Sequence, residues 1–145
     1  MCLNTITNEL TAKTDILVYK CLDFDGDIYC TPFRYMPVEF NNGRVELKSE
    51  LIKIGKDCVE IGIHSYFNKN EAIAISRSFH ANAGTSMHYA IIPKGSRYFV
   101  GKVNDIASTR LIIFRTKKSF DTYCKTHLIE KIEIQGGKNI VNIPI

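Results

Sequence analysis

Two short segments carry most of the residues able to do chemistry. Gly62-Ile63-His64-Ser65-Tyr66 groups an imidazole, a hydroxyl and a phenol. It stands where a strand pattern gives way to a helix start, and such a junction exposes backbone N–H groups that suit an anion. Ile92-Pro93-Lys94-Gly95-Ser96-Arg97-Tyr98 brings two cations, a hydroxyl and a ring into one turn. Lys and Arg bind phosphate, and a tyrosine ring stacks on a base. The bland alternatives are local backbone pairing by His64 and Ser65, and an ordinary exposed hairpin turn at Pro93–Gly95. Cys2 is a further candidate, because a terminal cysteine can act as a nucleophile with its own amine as base. His64, His80, His88 and His127 are too widely spaced for HxH or HExxH, so the sequence predicts no metal site. No P-loop and no GxGxxG is present, and no cofactor is expected.

The elements that must hold these residues read as follows. Residues 1–14 form an irregular lead-in. Ile16 to Leu22 is a buried strand, followed by a turn at Asp23–Asp27 and a short strand at Ile28–Cys30. Residues 31–43, with two prolines and Asn41-Asn42-Gly43, read as a long loop. Arg44 to Ile54 alternates as a half-exposed strand or strand pair, and 58–63 is a further strand. Asn68, with Glu71 three residues on, signals a capped helix over 69–80, with Ala72, Ile75 and Phe79 on one face. Residues 81–86 are a small-residue loop. Strands follow at 88–92, 96–103 and 108–114, then a short amphipathic helix at 116–126 with Phe120 and Tyr123-Cys124 inward. Residues 128–134 and 140–145 flank Gly136-Gly137 as a terminal hairpin. The fold class is α+β: one mainly β-strand domain over 1–145 with one main helix.

Composition bounds the function. A chain of 145 residues with 45% hydrophobic and 23% charged residues has ordinary globular values and can build its own core. The net charge of +4 is dispersed, and the longest basic run is Lys117-Lys118. That argues against a dedicated nucleic-acid binder and is compatible with an anionic small ligand. The five cysteines form no CxxC, and their odd number predicts five free thiols and a reducing cytoplasm. No apolar run reaches transmembrane length, and no signal peptide is read at the start.

Three segments, in this order, resemble the ADP-ribosyltransferase fold. Val18-Tyr19-Lys20 resembles its first-strand motif, Gly62–Tyr66 with the following helix its Gly-x-x-Ser-x segment, and Ala90–Gly95 the strand and turn before its catalytic motif. The resemblance spans residues 16–114 and implies a nucleotide-shaped cleft formed by Tyr19, Lys20, His64, Ser65, Tyr66, Lys94, Arg97 and Tyr98. The family's catalytic glutamate is missing: the segment after the turn carries Asp105 alone, placed before the strand, so no catalytic residue is assigned. The chain also resembles small phage and Bacteroidetes proteins that begin Met-Cys-Leu. These readings imply a non-catalytic binder of an NAD-derived or cyclic nucleotide, in the manner of a phage protein that sequesters a host immune signal. An enzyme using Tyr19, His64 and Asp105 is one alternative. A protein-binding inhibitor contacting its host partner through the aromatic loop at 33–40 is another, and a homo-oligomer is compatible with all three.

Overall fold

The computed structural model describes residues 3–5, 7–25, 28–31, 37–55, 58–79, 84–127, 129–135 and 139–144, with side chains for all of these except 25, 75–79, 84, 129–135 and 139–144. Its strands are β1 Leu3–Asn4, β2 Leu10–Thr11, β3 Asp15–Asp25, β4 Ile28–Cys30, β5 Pro37–Val38, β6 Arg44–Lys48, β7 Ile52–Ile54, β8 Cys58–Ile61 and β9 Ile63–Tyr66. Helix α1, Lys69–Phe79, follows, then β10 Gly84–Ile92, β11 Arg97–Val100, β12 Asp105–Ser108 and β13 Arg110–Phe114. Helix α2, Lys117–Cys124, precedes the terminal hairpin β14 Ile129–Gln135 and β15 Asn139–Pro144. Strands dominate, as the α+β reading holds. The lead-in is not wholly irregular, because two short pieces of it pair with β8 and β11.

The main sheet runs β2-β11-β12-β9-β3-β10-β13-β6. β3 is its spine. One edge of β3 pairs antiparallel with β10 from Ile16 to Phe24. The other edge is shared in turn by β14, β9 and β4. Residues alternate across a strand. Ile16, Val18 and Leu22 therefore face one side, and Leu17, Tyr19 and Cys21 the other. The inner side holds a single apolar cluster drawing on every strand from β2 (Leu10) to β6 (Val45, Leu47). An open twisted sheet whose two margins feed one cluster must curl around it. The outer side is covered in three parts. The small sheet β1-β8-β7 lays Leu3 and Val59 on Phe99 and Ala107. α1 lies over β3, β10 and β9, and α2 over β10 and β13.

The helices end where the sequence says they should. Asn68 Oδ1 accepts from the backbone of Asn70 and Glu71 at 2.8 and 3.2 Å. Thr116 and Ser119 cap α2 reciprocally, and Phe120 is buried. Ala72 of α1 is fully buried, whereas the side chains of Ile75 and Phe79 lie outside the described residues.

Four expectations are corrected. The strand at 58–63 is two strands in different sheets, broken at Gly62, where a Cβ would meet Leu51 Cδ1 at 2.9 Å and Ala107 Cβ at 3.1 Å. Asp105 lies before β13, as read, but it also opens a further strand, β12, and is buried. The Pro93–Gly95 turn closes no hairpin, because β10 pairs with β3 and β13 while β11 pairs with β12 and β2. Finally, Cys58 is disulfide-bonded, to a partner outside the described residues. Spacing rules see local cysteine pairs, whereas Cys58 is reached across strands, with β1 alongside it through Asn4. Cys30 and Cys124 are free, and the Cys21 thiol donates to Ala72 O at 3.0 Å. Cys2 and His80 lie outside the described residues, as do residues 33–36 of the loop at 33–40. Among the described residues no helix is long and apolar enough to cross a membrane.

Candidate functional site

The residues singled out by sequence are divided among three places. Tyr19, His64 and Tyr66 lie on the outer face. Tyr19 is directly opposite Tyr66 in register, its ring 5.5 Å from that of Tyr89, and burial raises its pKa, with Tyr89 adding to the effect. His64 Nε2 donates to Asp105 Oδ2 at 2.9 Å, and the His64 ring stacks on Tyr66 at 5.9 Å. Burial pushes the Tyr66 phenol well up, and the Asp105 carboxylate contributes in the same direction.

Lys20, Ser65 and Tyr98 face inward instead. Each directly follows or precedes an outward residue, so strand alternation forbids Tyr19 and Lys20 from sharing a cleft. Lys20 is buried opposite His88, and its Nζ donates to His64 O at 2.6 Å. Burial pushes its pKa down to about 8. His88 Nδ1 donates to Phe114 O at 2.9 Å, and burial lowers its pKa, so Nε2 of the neutral ring accepts from Ser86 Oγ at 2.6 Å. Ser65 Oγ is buried with no hydrogen-bond partner among the described residues. Tyr98 is part of the inner core.

Lys94 and Arg97 form the third place, around the β10–β11 turn. The Lys94 backbone donates to Asp15 Oδ1 at 2.8 Å, while the exposed Arg97 side chain pairs with Glu9 at 3.3 Å. The eight residues thus fall in three places, two of which are the opposite faces of the sheet.

The His64–Asp105 pair looks like the beginning of a catalytic dyad, but the space beyond it is filled. Asp105 packs so closely on Gly101 that a Cβ there would overlap Oδ1, and the same Cβ would lie 2.9 Å from Leu3 Cγ. The pair joins β9 to β12 in a closed part of the sheet.

A more open arrangement lies between β6 and the C-terminal end of α2. Asn42 and Gly43 both have positive φ, 56° and 81°, as a two-residue hairpin turn requires. Asn41 and Arg44 close that turn by reciprocal backbone hydrogen bonds of 2.9 and 3.3 Å. Gly43 also lets the turn approach α2, since a Cβ would meet Ser119 Cβ at 2.9 Å. Arg44 is then fixed on the outer face, opposite Phe114 in register. Its guanidinium carbon stands 5.5 Å from the centre of the Tyr123 ring. One helical turn further along, the His127 ring stacks on Tyr123 at 3.7 Å and 3°. The Tyr123 hydroxyl donates to Asp15 Oδ2 at 3.2 Å, and burial, helped by Asp15, pushes its pKa up to about 12. The ring is therefore held in place and stays protonated.

No family model, curated protein or solved structure matches this chain.

The groove beside this stack has two lobes, of about 700 Å³ and 530 Å³, which share Asn41, Arg44, Tyr123 and His127 as walls. Lys118 and the hydroxyls of Thr116, Thr122 and Thr126 line the larger lobe, which has no carboxylate among its lining residues. Among the described residues neither Arg44 nor Lys118 makes an ion pair. Cations left uncompensated next to stacked rings suit a planar anion. Sequence reading missed this site, although two signals were present. Asn41-Asn42-Gly43-Arg44 is a tight-turn pattern delivering a cation, and Tyr123 and His127 are four apart at a helix end.

Proposed function

We propose that this protein binds an anionic, ring-bearing small molecule of the nucleotide class in the groove between β6 and α2, and holds it without converting it. The observation that carries this reading is the Arg44–Tyr123–His127 assembly, which offers a cation and a stacking surface at one place. A ring laid against it gains stacking and cation–π energy, and a phosphate gains charge-assisted hydrogen bonds. Binding is favoured over turnover because the one histidine–carboxylate pair described is closed in by Gly101 and Leu3. A binder that keeps its ligand intact suits sequestration of a nucleotide signal, the role implied by the sequence resemblances.

The test is incubation with NAD, cyclic nucleotides and nucleoside monophosphates, followed by heat release and mass spectrometry. The reading expects one of these ligands to be recovered intact, with retention lost in Arg44→Ala. A new product would point to an enzyme, and no retained ligand would remove the proposal. One observation favours a second reading, a protein-binding surface. Ile28 is 55% exposed and Phe24 40% exposed, beside a cleft of about 400 Å³ lined by Tyr29, Val38 and Phe40.

A further inference from the structure

The groove is not uniform along its length. β6 presents Arg44 and Glu46 on the same outer face, two residues apart and so roughly 7 Å along the strand. The larger lobe lies on the Arg44 side with Lys118, and the smaller lobe adds Glu39 and Glu46. The Tyr123–His127 stack stands where the two meet. A ligand lying along this groove must offer negative charge at one end and hydrogen-bond donors at the other.

The two carboxylates are not equally available. Arg110 binds Glu46 Oε1 through both Nε and Nη2. Glu39 is exposed and makes no ion pair among the described residues. It follows β5 and lines the smaller lobe, next to the buried Val38. An ionised carboxylate only accepts hydrogen bonds, and it accepts two at once.

We infer that the groove selects a guanine base, with Glu39 reading its N1–H and N2–H edge while the ring stacks on the exposed His127 of the Tyr123–His127 pair and the phosphate faces Lys118. This rests on the binding reading above and adds the identity of the base. Guanine is the base whose pairing edge offers two adjacent donors, matching the two oxygens of one carboxylate. Adenine sets an acceptor, N1, beside its single amino donor, so its lone pair would face a negative oxygen. Cytosine has the same mismatch at N3, and uracil offers one donor between two carbonyls.

Calorimetry with guanosine, inosine and adenosine 5′-monophosphates tests this on wild type and Glu39→Gln. Guanosine monophosphate is expected to bind about tenfold tighter than adenosine monophosphate, the scale of one charge-assisted hydrogen bond. Inosine monophosphate, lacking the N2 amino group, should fall between them. Glu39→Gln exchanges one acceptor for a donor, which matches adenine's edge, so the preference should shrink or reverse. Equal binding of the guanine and adenine nucleotides, or an unchanged preference in Glu39→Gln, would overturn the base assignment while leaving the binding reading standing. Failure of all three nucleotides to bind would overturn the base assignment, and the binding reading falls only if the wider screen retains no ligand either.

Discussion

His64 and His127 each stack on a tyrosine ring, at centroid separations of 5.9 Å and 3.7 Å. Their surroundings differ. His64 lies within β9, where a strand neighbour supplies Asp105 and the opposite face supplies Lys20 to its carbonyl. Its Nε2 and its carbonyl are thus both taken up within the sheet, and only a small part of the ring reaches solvent. His127 lies past the end of α2, exposed, with its Nδ1 turned back to Tyr123 O at 2.9 Å and its ring beside a groove. The difference follows from the backbone. A residue in a central strand has paired neighbours on both sides, so its polar groups are consumed internally. A residue at a turn or helix end has room on one side. Chemistry-bearing residue types in strands thus tend to hold the sheet, and those at turns and helix ends are left for ligands.

The largest expected effect tests the first half of this contrast. Asp105→Ala leaves His64 Nε2 buried without its partner and opens space beside Gly101 and Leu3. A loss of about 3 kcal/mol in folding stability is expected from the unsatisfied donor and the lost packing together. Urea denaturation measures it. Ligand affinity of the folded fraction should be unchanged. Wild-type stability combined with weakened binding would invert the two regions' roles.

Lys20 supplies a comparable effect with a pH signature. Its folded pKa of about 8 lies below its ordinary value of 10.5, because burial disfavours the charged form. Between these pH values the unfolded chain holds the proton more tightly, so the Lys20 contribution to stability rises with pH. The slope is at most about 1.4 kcal/mol per pH unit, and the total about 3 kcal/mol. The phenols of Tyr19, Tyr66, Tyr98 and Tyr123 and the Cys124 thiol are raised by burial, so their contributions are lost as pH rises through their own ranges. These opposing groups are common to wild type and Lys20→Met, and the difference between the two proteins isolates Lys20. Lys20→Met should be at least as stable at pH 7, since an apolar side chain of similar size avoids the desolvation cost. Its advantage should shrink from pH 8 upward. A constant difference across that range would mean the amine is not desolvated.

How far the sequence could show this depends on what each feature requires. Strand positions were readable because hydrophobic runs such as Ile16–Leu22 and Arg110–Phe114 carry their own signal. Both helices were readable, α1 through its cap at Asn68 and α2 through an apolar face at Phe120 and Tyr123-Cys124. Which strands pair was not readable, and that decides everything about the site. The separation of Lys20 from Tyr19 follows from strand alternation within Ile16–Leu22 and was readable, whereas its contact with His64 O comes from the order of β3 beside β9. The Cys58 bridge was hidden for the same reason. Asp105, read as lying before the strand at 108–114, became a buried partner because β12 begins at it. The groove was missed because its walls come from residues about 40, 116 and 127, which no local window joins.

Arg44→Ala tests the other half of the contrast. Arg44 is exposed and makes no ion pair among the described residues, so its removal should cost less than about 0.5 kcal/mol of stability. Affinity for an anionic nucleotide should fall by about 1.5 kcal/mol, roughly tenfold. Calorimetry at pH 7 alongside a thermal melt separates the two quantities. A large melting shift with unchanged affinity would make Arg44 a structural cation like Arg110.

The smallest effect concerns Lys118, and its value lies in how it responds to salt. Lys118 lines the larger lobe from the first turn of α2, is exposed, and has no ion pair among the described residues, unlike Lys117, which binds Asp121 at 3.0 Å. A solvated ammonium acts on a phosphate mainly through screened Coulomb attraction, worth about 0.5 kcal/mol. Lys118→Ala should therefore weaken nucleotide binding by about two- to threefold at low salt. The deficit should fade at several hundred millimolar salt, where the screening length falls to roughly 4–5 Å. Lys117→Ala serves as the control, because its charge is already compensated by Asp121. Arg44→Ala should keep most of its deficit under the same conditions, since direct guanidinium contact and stacking are less exposed to screening. If Lys118→Ala and Lys117→Ala behave alike at low salt, the phosphate does not lie beside Lys118 in the larger lobe, and the proposed orientation of the ligand along the groove fails.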